Sequence, residues 1–172
     1  MSELDHFNGA PACDLRPQLL ALTASPGWAD EVLARRPFTD VDALLKASDE
    51  IVLGLEAPEV DAALAGHPRI GERASGLDEE SAARSAREQA GMSSADTSVQ
   101  AEMASANRDY ERRFGRIYLV AAAGRSADDL LAFLHARLGN DPDTELDVVR
   151  GELAKITRLR LTDRFTTSQG DR

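Results

Sequence analysis

At 172 residues the chain has the size of one ordinary domain, and with 42% apolar but only 5% aromatic residues its core must come largely from Ala and Leu, which favours closely packed helices. A formal net charge of −10 argues against a nucleic-acid partner, because phosphate binding needs a basic face, although one local arginine could still hold a small anion. Cys13 is the single cysteine, so no internal disulfide is expected; no Cys/His set has zinc spacing and no apolar run reaches membrane-spanning length.

The opening "MSELDHFNG" lacks the basic region and apolar run of a signal peptide. "PACDLRPQLLAL" reads as a short helix, with Pro17 near its first turn or kinking it. In "SPGWADEVLA", Ser25 is the expected N-cap and Pro26 the first helical residue. "RRPF" breaks the pattern, because Arg36 precedes a proline. "TDVDALLKASDEIVLGL" follows with Thr39 as the expected cap, and its apolar residues from Val41 to Leu55 recur at helical spacing. "PEVDAALA" is another short helix, opened by Pro58 and closed by Gly66.

After the loop "HPRIGERASG", residues 78–91 are helical with Gly91 as the stop. Residues 94–115 form a longer helix capped by Ser93 or Ser94 and closed by Gly115. "RIYLVAAAG" has β-branched and aromatic residues but no second strand to pair with, so it reads as a buried extended segment or a helix start. "SADDLLAFLHARLG" is helical between Ser126 and Gly139, and the stretch from Asp143 to Phe165 is the last long helix. These elements make an all-α chain, a single domain of about eight packed helices over residues 1–172. "TSQGDR" at the end holds no peroxisomal tripeptide, and a cytoplasmic location is expected.

Three places could carry chemistry. His67 lies between Gly66 and Pro68, and the proline pushes it out of the helical region onto a stiff turn. A general acid or base needs such fixed placement, though a surface-loop histidine fits the same pattern. In the helix over 78–91, Ala82, Ala83, Ala86 and Ala90 make a small-residue face suited to pressing on a neighbouring helix. Ser81, Ser85 and Glu88 then fall on the opposite side, with Gln89 at the border, as a solvated face would. In the last helix Leu146, Val149, Leu153 and Ile156 step by three or four, and the next step lands on Arg160. A guanidinium that continues a buried stripe needs an anionic partner, from the protein or from a ligand, unless it snorkels to water.

The two lysines, Lys46 and Lys155, lie on charged helical stretches, which disfavours Schiff-base chemistry. There is no Gly-rich phosphate loop and no nucleophile elbow. No metal and no cofactor are expected.

"AGHPRIGERA", "SAREQAG", "NRDYERRFG", "AAGRSADDLLAFLHARLGND" and "ELAKITRLRLTDR", in this order, resemble the 2-oxo-4-hydroxy-4-carboxy-5-ureidoimidazoline (OHCU) decarboxylases. "FN", Trp28 and "RRPF" resemble that family's N-terminal half. The resemblance implies an all-helical, cofactor-free enzyme of urate degradation that forms (S)-allantoin from a small ureidoimidazoline. It implies catalysis by His67 and Glu88 and substrate binding by Arg160. Pro68, Ser85 and Gln89 would line the pocket, and backbone groups of the "FGRIYL" segment, at Gly115 and Ile117, would close it. A homodimer is compatible with the resemblance. Arg84 and Arg116 depart from it, since many relatives carry aromatic residues at both places. The rival class is a non-catalytic helical binding module, which leaves the arginine in the buried stripe unexplained.

Overall fold

The computed structural model describes residues 1–72, 79–93 and 95–167. Among them are ten helices and no strand, so the all-α expectation holds with two more helices than the periodicity gave. The chain divides into two compact units, residues 1–63 with 150–172, and residues 64–149.

The first unit opens with α1 (Glu3–Gly9), which the sequence reading did not identify. Ser2 and Asp5 close a reciprocal capping box there. The signatures "FN" and "RRPF" explain each other at this point. Asn8 donates to the Phe38 carbonyl and accepts from the Phe38 N–H, both at 2.9 Å. Arg36 donates to the carbonyls of Phe7 and Ala10 at 2.8 Å, satisfying groups at the end of α1. The Arg36–Pro37 peptide bond is cis.

α2 (Ala12–Leu22) keeps Pro17 inside the helix, past the first turn. α3 (Pro26–Ala34) has Ser25 and Pro26 in the expected roles, and packs on both α2 and α4 (Val41–Leu53). The cap of α4 is Asp40, not Thr39: its carboxylate accepts from the Ala43 N–H at 2.7 Å, one residue further along. Trp28 is fully buried and donates its indole N–H to Ser48 at 2.9 Å, which removes the polar cost of burying it. α5 (Ala57–Leu64) ends two residues before Gly66. α10 (Pro142–Thr167) contributes its residues from Arg150 onward to this unit, with Leu153, Ile156, Leu161 and Phe165 buried; Phe165 meets Phe7 edge-on.

In the second unit, α6 (Glu79–Glu88) is followed by a turn at Gln89 and the short α7 (Ala90–Ser93). Gly91 is therefore not a helix stop. α8 (Thr97–Phe114) is capped by Asp96, which accepts from Val99, rather than by Ser93. Ser94 lies outside the described residues. α8 ends where expected, at Gly115 in the left-handed region, φ +71°. "RIYLVAAA" resolves as the buried extended segment, with Tyr118, Leu119, Val120 and Ala122 inside. α9 (Ala127–Leu138) starts at Ser126 and packs on α8. Met103, Ala106 and Tyr110 of α8 form one core with Tyr118, Val120, Leu130 and Leu134.

Candidate active site

The loop that carries His67 is fastened at several points. The His67 N–H donates to the Leu64 carbonyl at 3.0 Å, and Pro68 holds the histidine out of the helix, as expected. Both residues are half-buried. Arg69 pairs with Glu111 on α8. The Ile70 side chain is buried, and its carbonyl accepts from Asn107 Nδ2 at 3.1 Å. The Gly71 N–H donates to Gln89 Oε1 at 2.9 Å, and Gly71 itself has φ +88°, where a side chain would be strained. Residues 73–76 of this loop, and Leu77 and Asp78 before α6, lie outside the described residues.

α6 is turned the opposite way from the sequence expectation. Of the four alanines, Ala83, Ala86 and Ala90 are exposed and Ala82 is half-buried, while Ser81, Glu88 and Gln89 are half-buried and Ser85 is only 4% exposed. The stripe centred on Ser85 faces the protein, and three of the four alanines face water. Periodicity ranks faces by hydrophobicity, so a helix whose polar groups are wanted inside is read backwards. The Ser85 hydroxyl is buried with no hydrogen-bond partner in the structure, a state that native proteins seldom leave unexplained. Arg84 pairs with Glu80 at 3.4 Å.

Gly91 owes its identity to a close approach. A Cβ built there would stand 2.3 Å from the Arg125 carbonyl oxygen, so α7 meets the backbone before α9 at a distance that only glycine allows.

Of the sequence candidates, His67, Pro68, Ser85, Glu88 and Gln89 lie on the loop and on α6 with its following turn. The Gly71–Gln89 bond joins these two segments. Gly115 is exposed and Ile117 half-buried, both just beyond α8. Arg160 belongs to the first unit and is 5% exposed, so the stripe does run into a buried guanidinium. Its Nη1 donates to the Leu22 carbonyl at 2.8 Å, at the C-terminal end of α2 where the helix dipole favours a cation. One turn earlier, Thr157 meets Thr23 at 2.7 Å.

A second buried arginine escaped the sequence reading. Arg137 of α9 is 4% exposed and pairs with the fully buried Glu145 at 2.5 Å. It also donates to the Leu119 carbonyl at 2.6 Å, which holds the extended segment. Tyr110 donates to the same carboxylate at 2.5 Å, and Asn140 reaches its other oxygen at 3.0 Å. Burial and the neighbouring carboxylate push the Tyr110 phenol well above its usual range. The stepping argument that exposed Arg160 applies equally here, because Leu130, Leu134 and Arg137 follow at four and three. "HARLGND" thus ties α8, α9 and the start of α10 together through one carboxylate.

Among the described residues, no three His, Cys, Asp or Glu side chains cluster as a metal site, and no helix is long and apolar enough to cross a membrane. The OHCU decarboxylase family model matches residues 8–162, across both units. The chain belongs to the OHCU decarboxylase family. Among its relatives, the 2-oxo-4-hydroxy-4-carboxy-5-ureidoimidazoline decarboxylase of Mus musculus is 32% identical over 143 residues, covering 80% of this chain and 78% of that protein. The protein of the same name from Haloferax volcanii is 28% identical and covers 83% of each. The uric acid degradation bifunctional protein TTL of Arabidopsis thaliana is 30% identical over 83% of this chain, which spans 44% of the plant protein. A crystal structure of OHCU decarboxylase in the presence of (S)-allantoin shares the family fold, with a TM-score of 0.73 at 24% identity over 87% of this chain and 97% of that one.

Proposed function

We propose that this chain is a carboxy-lyase that converts OHCU to (S)-allantoin in urate degradation, without a cofactor. Family membership supplies the reaction class. The observation that carries the reading to particular residues is the inward polar face of α6, whose buried Ser85 hydroxyl lacks a partner and whose following residue, Gln89, is bonded to the His67 loop.

The substrate contains its own electron sink. The ring carbon that bears the carboxylate also carries a hydroxyl, and its neighbour is an imine carbon bearing the ureido group. When the carbon–carboxylate bond breaks, carbon dioxide leaves and the electron pair flows into the imine, whose nitrogen takes up a proton. The resulting enol gives up its hydroxyl proton as the carbonyl forms, and the ureido-bearing carbon gains one proton on a single face. Net, one proton is consumed and one carbon dioxide released. The protein has to orient the ring, stabilise the spreading negative charge and manage these protons.

In this scheme His67 handles the hydroxyl proton or delivers the new one, held on its proline-stiffened turn. Glu88 orients His67 and holds a substrate N–H or hydroxyl. Arg160 supplies the charge stabilisation, with a planar fork suited to a carboxylate. Ser85 offers its hydroxyl and Gln89 its amide N–H to the ring, while Pro68 and the backbone at Gly115 and Ile117 complete the pocket. Holding the carboxylate out of the ring plane would align the breaking bond with the imine, a positioning effect. Arg84 and Arg116, where many relatives have aromatics, alter the packing around the substrate rather than the proton chemistry. The same reading makes residues 1–172 one functional domain, places the protein in the cytoplasm and allows a homodimer.

The test is turnover. OHCU is generated in place from urate with urate oxidase and 5-hydroxyisourate hydrolase, and (S)-allantoin is followed by circular dichroism. Faster, one-handed allantoin formation with this protein present is the expected result. A decay rate equal to the uncatalysed one would overturn the assignment. Leaving out the hydrolase distinguishes decarboxylation from hydrolysis of 5-hydroxyisourate.

A further inference from the structure

Two of the hydrogen bonds that reach the His67 loop, one from α8 and one from the turn after α6, meet on one peptide unit. Asn107 Nδ2 donates to the Ile70 carbonyl, and the N–H of the next residue, Gly71, donates to Gln89 Oε1. These are the two ends of the Ile70–Gly71 peptide bond. In a trans peptide the C=O and N–H point in opposite directions, so the plane is strung between α8 on one side and the end of α6 on the other. Rotating the plane breaks both bonds at once. The φ of +88° at Gly71 lets the chain pass through this clamp.

Asn107 is 5% exposed, and its Oδ1 is buried with no partner. The amide cannot be flipped to relieve this, because Oδ1 would then face the Ile70 carbonyl, acceptor against acceptor. A residue placed there for packing alone would be apolar and would leave no acceptor unpaired. The orphaned oxygen is tolerated for what the Nδ2 group does.

We propose that Asn107 is a positioning residue for the decarboxylation. It fixes the Ile70–Gly71 peptide against Gln89 and thereby sets the distance between the His67–Pro68 turn and the Ser85–Glu88 face of α6. This rests on the function proposed above. Asn107 acts through the loop and need not touch substrate. A 1 Å misplacement of an acid or base relative to its partner costs up to about a hundredfold in rate, so the clamp converts two ordinary hydrogen bonds into catalytic geometry.

Asn107→Asp keeps shape but replaces the donor by a second acceptor, and Asn107→Ala removes it. Leu131→Ala, a truncation in α9 of the core that also buries Ile70, serves as a variant that loses stability while keeping both side chains of the clamp, Asn107 and Gln89. For each, kcat and KM are measured in the coupled assay per folded molecule, and exchange of the Gly71 amide is followed by NMR. Both Asn107 variants should lose roughly tenfold or more in kcat, with KM changed less than about twofold, and should exchange the Gly71 amide faster than wild type. Leu131→Ala should melt earlier yet keep wild-type kcat. If Asn107→Ala and Asn107→Asp keep wild-type kcat, or if Leu131→Ala loses kcat to the same degree, the positioning role is wrong. Should wild type show no turnover while the Asn107 variants still loosen the Gly71 amide, the reaction assignment fails and the clamp stands. An unchanged Gly71 exchange removes the clamp itself, whatever the activity.

Discussion

Gly91→Ala decides between two forces of opposite sign. Gly91 lies in the short helix α7, and by helix propensity alone alanine should stabilise it by about 0.5–1 kcal/mol. The new methyl, however, would stand 2.3 Å from the Arg125 carbonyl oxygen, and the neighbouring atoms are also backbone, Arg125 C at 3.4 Å and Ser126 Cα at 3.7 Å. No flexible side chain can swing aside. Either α7 or the 125–126 segment must move by roughly 1 Å, and overpacking of this kind costs about 1–3 kcal/mol. At mid-range values the clash wins, leaving a net loss of about 1 kcal/mol. For a chain of this size that lowers Tm by roughly 2–4 °C per kcal/mol. Gly151→Ala is the matched control, since it sits inside α10 with nothing within 4 Å of the added Cβ. It should gain about 0.5–1 kcal/mol. Urea denaturation of the two variants beside wild type reads both signs. A Gly91→Ala protein as stable as wild type, or more so, would show that the close approach does not constrain this glycine.

His67→Ala and Glu88→Ala should each lower kcat by roughly two orders of magnitude or more at near-parental Tm, and the double variant should be barely worse than the worse single one, because the pair acts as a unit. Arg160→Lys should recover little of what Arg160→Ala loses in kcat/KM, since a point charge replaces a planar fork; full recovery in the coupled assay would mean that charge alone suffices. Arg137→Ala strands the buried Glu145 carboxylate and should cost about 3–5 kcal/mol by urea denaturation, whereas a loss near that of an exposed pair would contradict the burial found here. The Asp96 and Asp141 carboxyls are held below their ordinary value by the backbone N–H groups of Val99 and Thr144 that they cap. A lowered folded-state pKa gives stability that is present above the unfolded value near 4 and lost as pH falls through the folded one. Asp141→Asn keeps an acceptor that does not titrate, so its acid limb below about pH 4 should be shallower than that of wild type, measured by thermal melts across pH; an identical limb would refute the cap's share in it.

The sequence by itself determined the helices whose ends carry local signals. Ser25 with Pro26, Ser126 and Gly115 act within a few residues, so the caps and the left-handed stop could be read from composition and order. Asp40 and Asp96, rather than Thr39 and Ser93, cap their helices for an equally local reason: several capping residues stand close together, and the aspartate adjoining the first turn takes the N–H groups. The stripe in α10 singled out Arg160, to be buried or to snorkel to water, because an arginine at an apolar step is visible in one dimension; the fold buries it. The orientation of α6 was not visible in that way. Its alanines outrank its serines and glutamate in any hydrophobic ordering, and only the tertiary structure, with Gln89 bonded to Gly71, turns the polar side inward. Gly91 reads as a helix stop in sequence and is instead a contact with a backbone 34 residues away. Asn107, Tyr110 and Glu145 are unremarked polar residues until the fold buries them and supplies their partners. The physical reason is common to all of these: capping and periodicity are short-range and repeat along one chain, whereas a buried polar group is stable only when a distant segment brings it a partner, and that partner exists only in three dimensions.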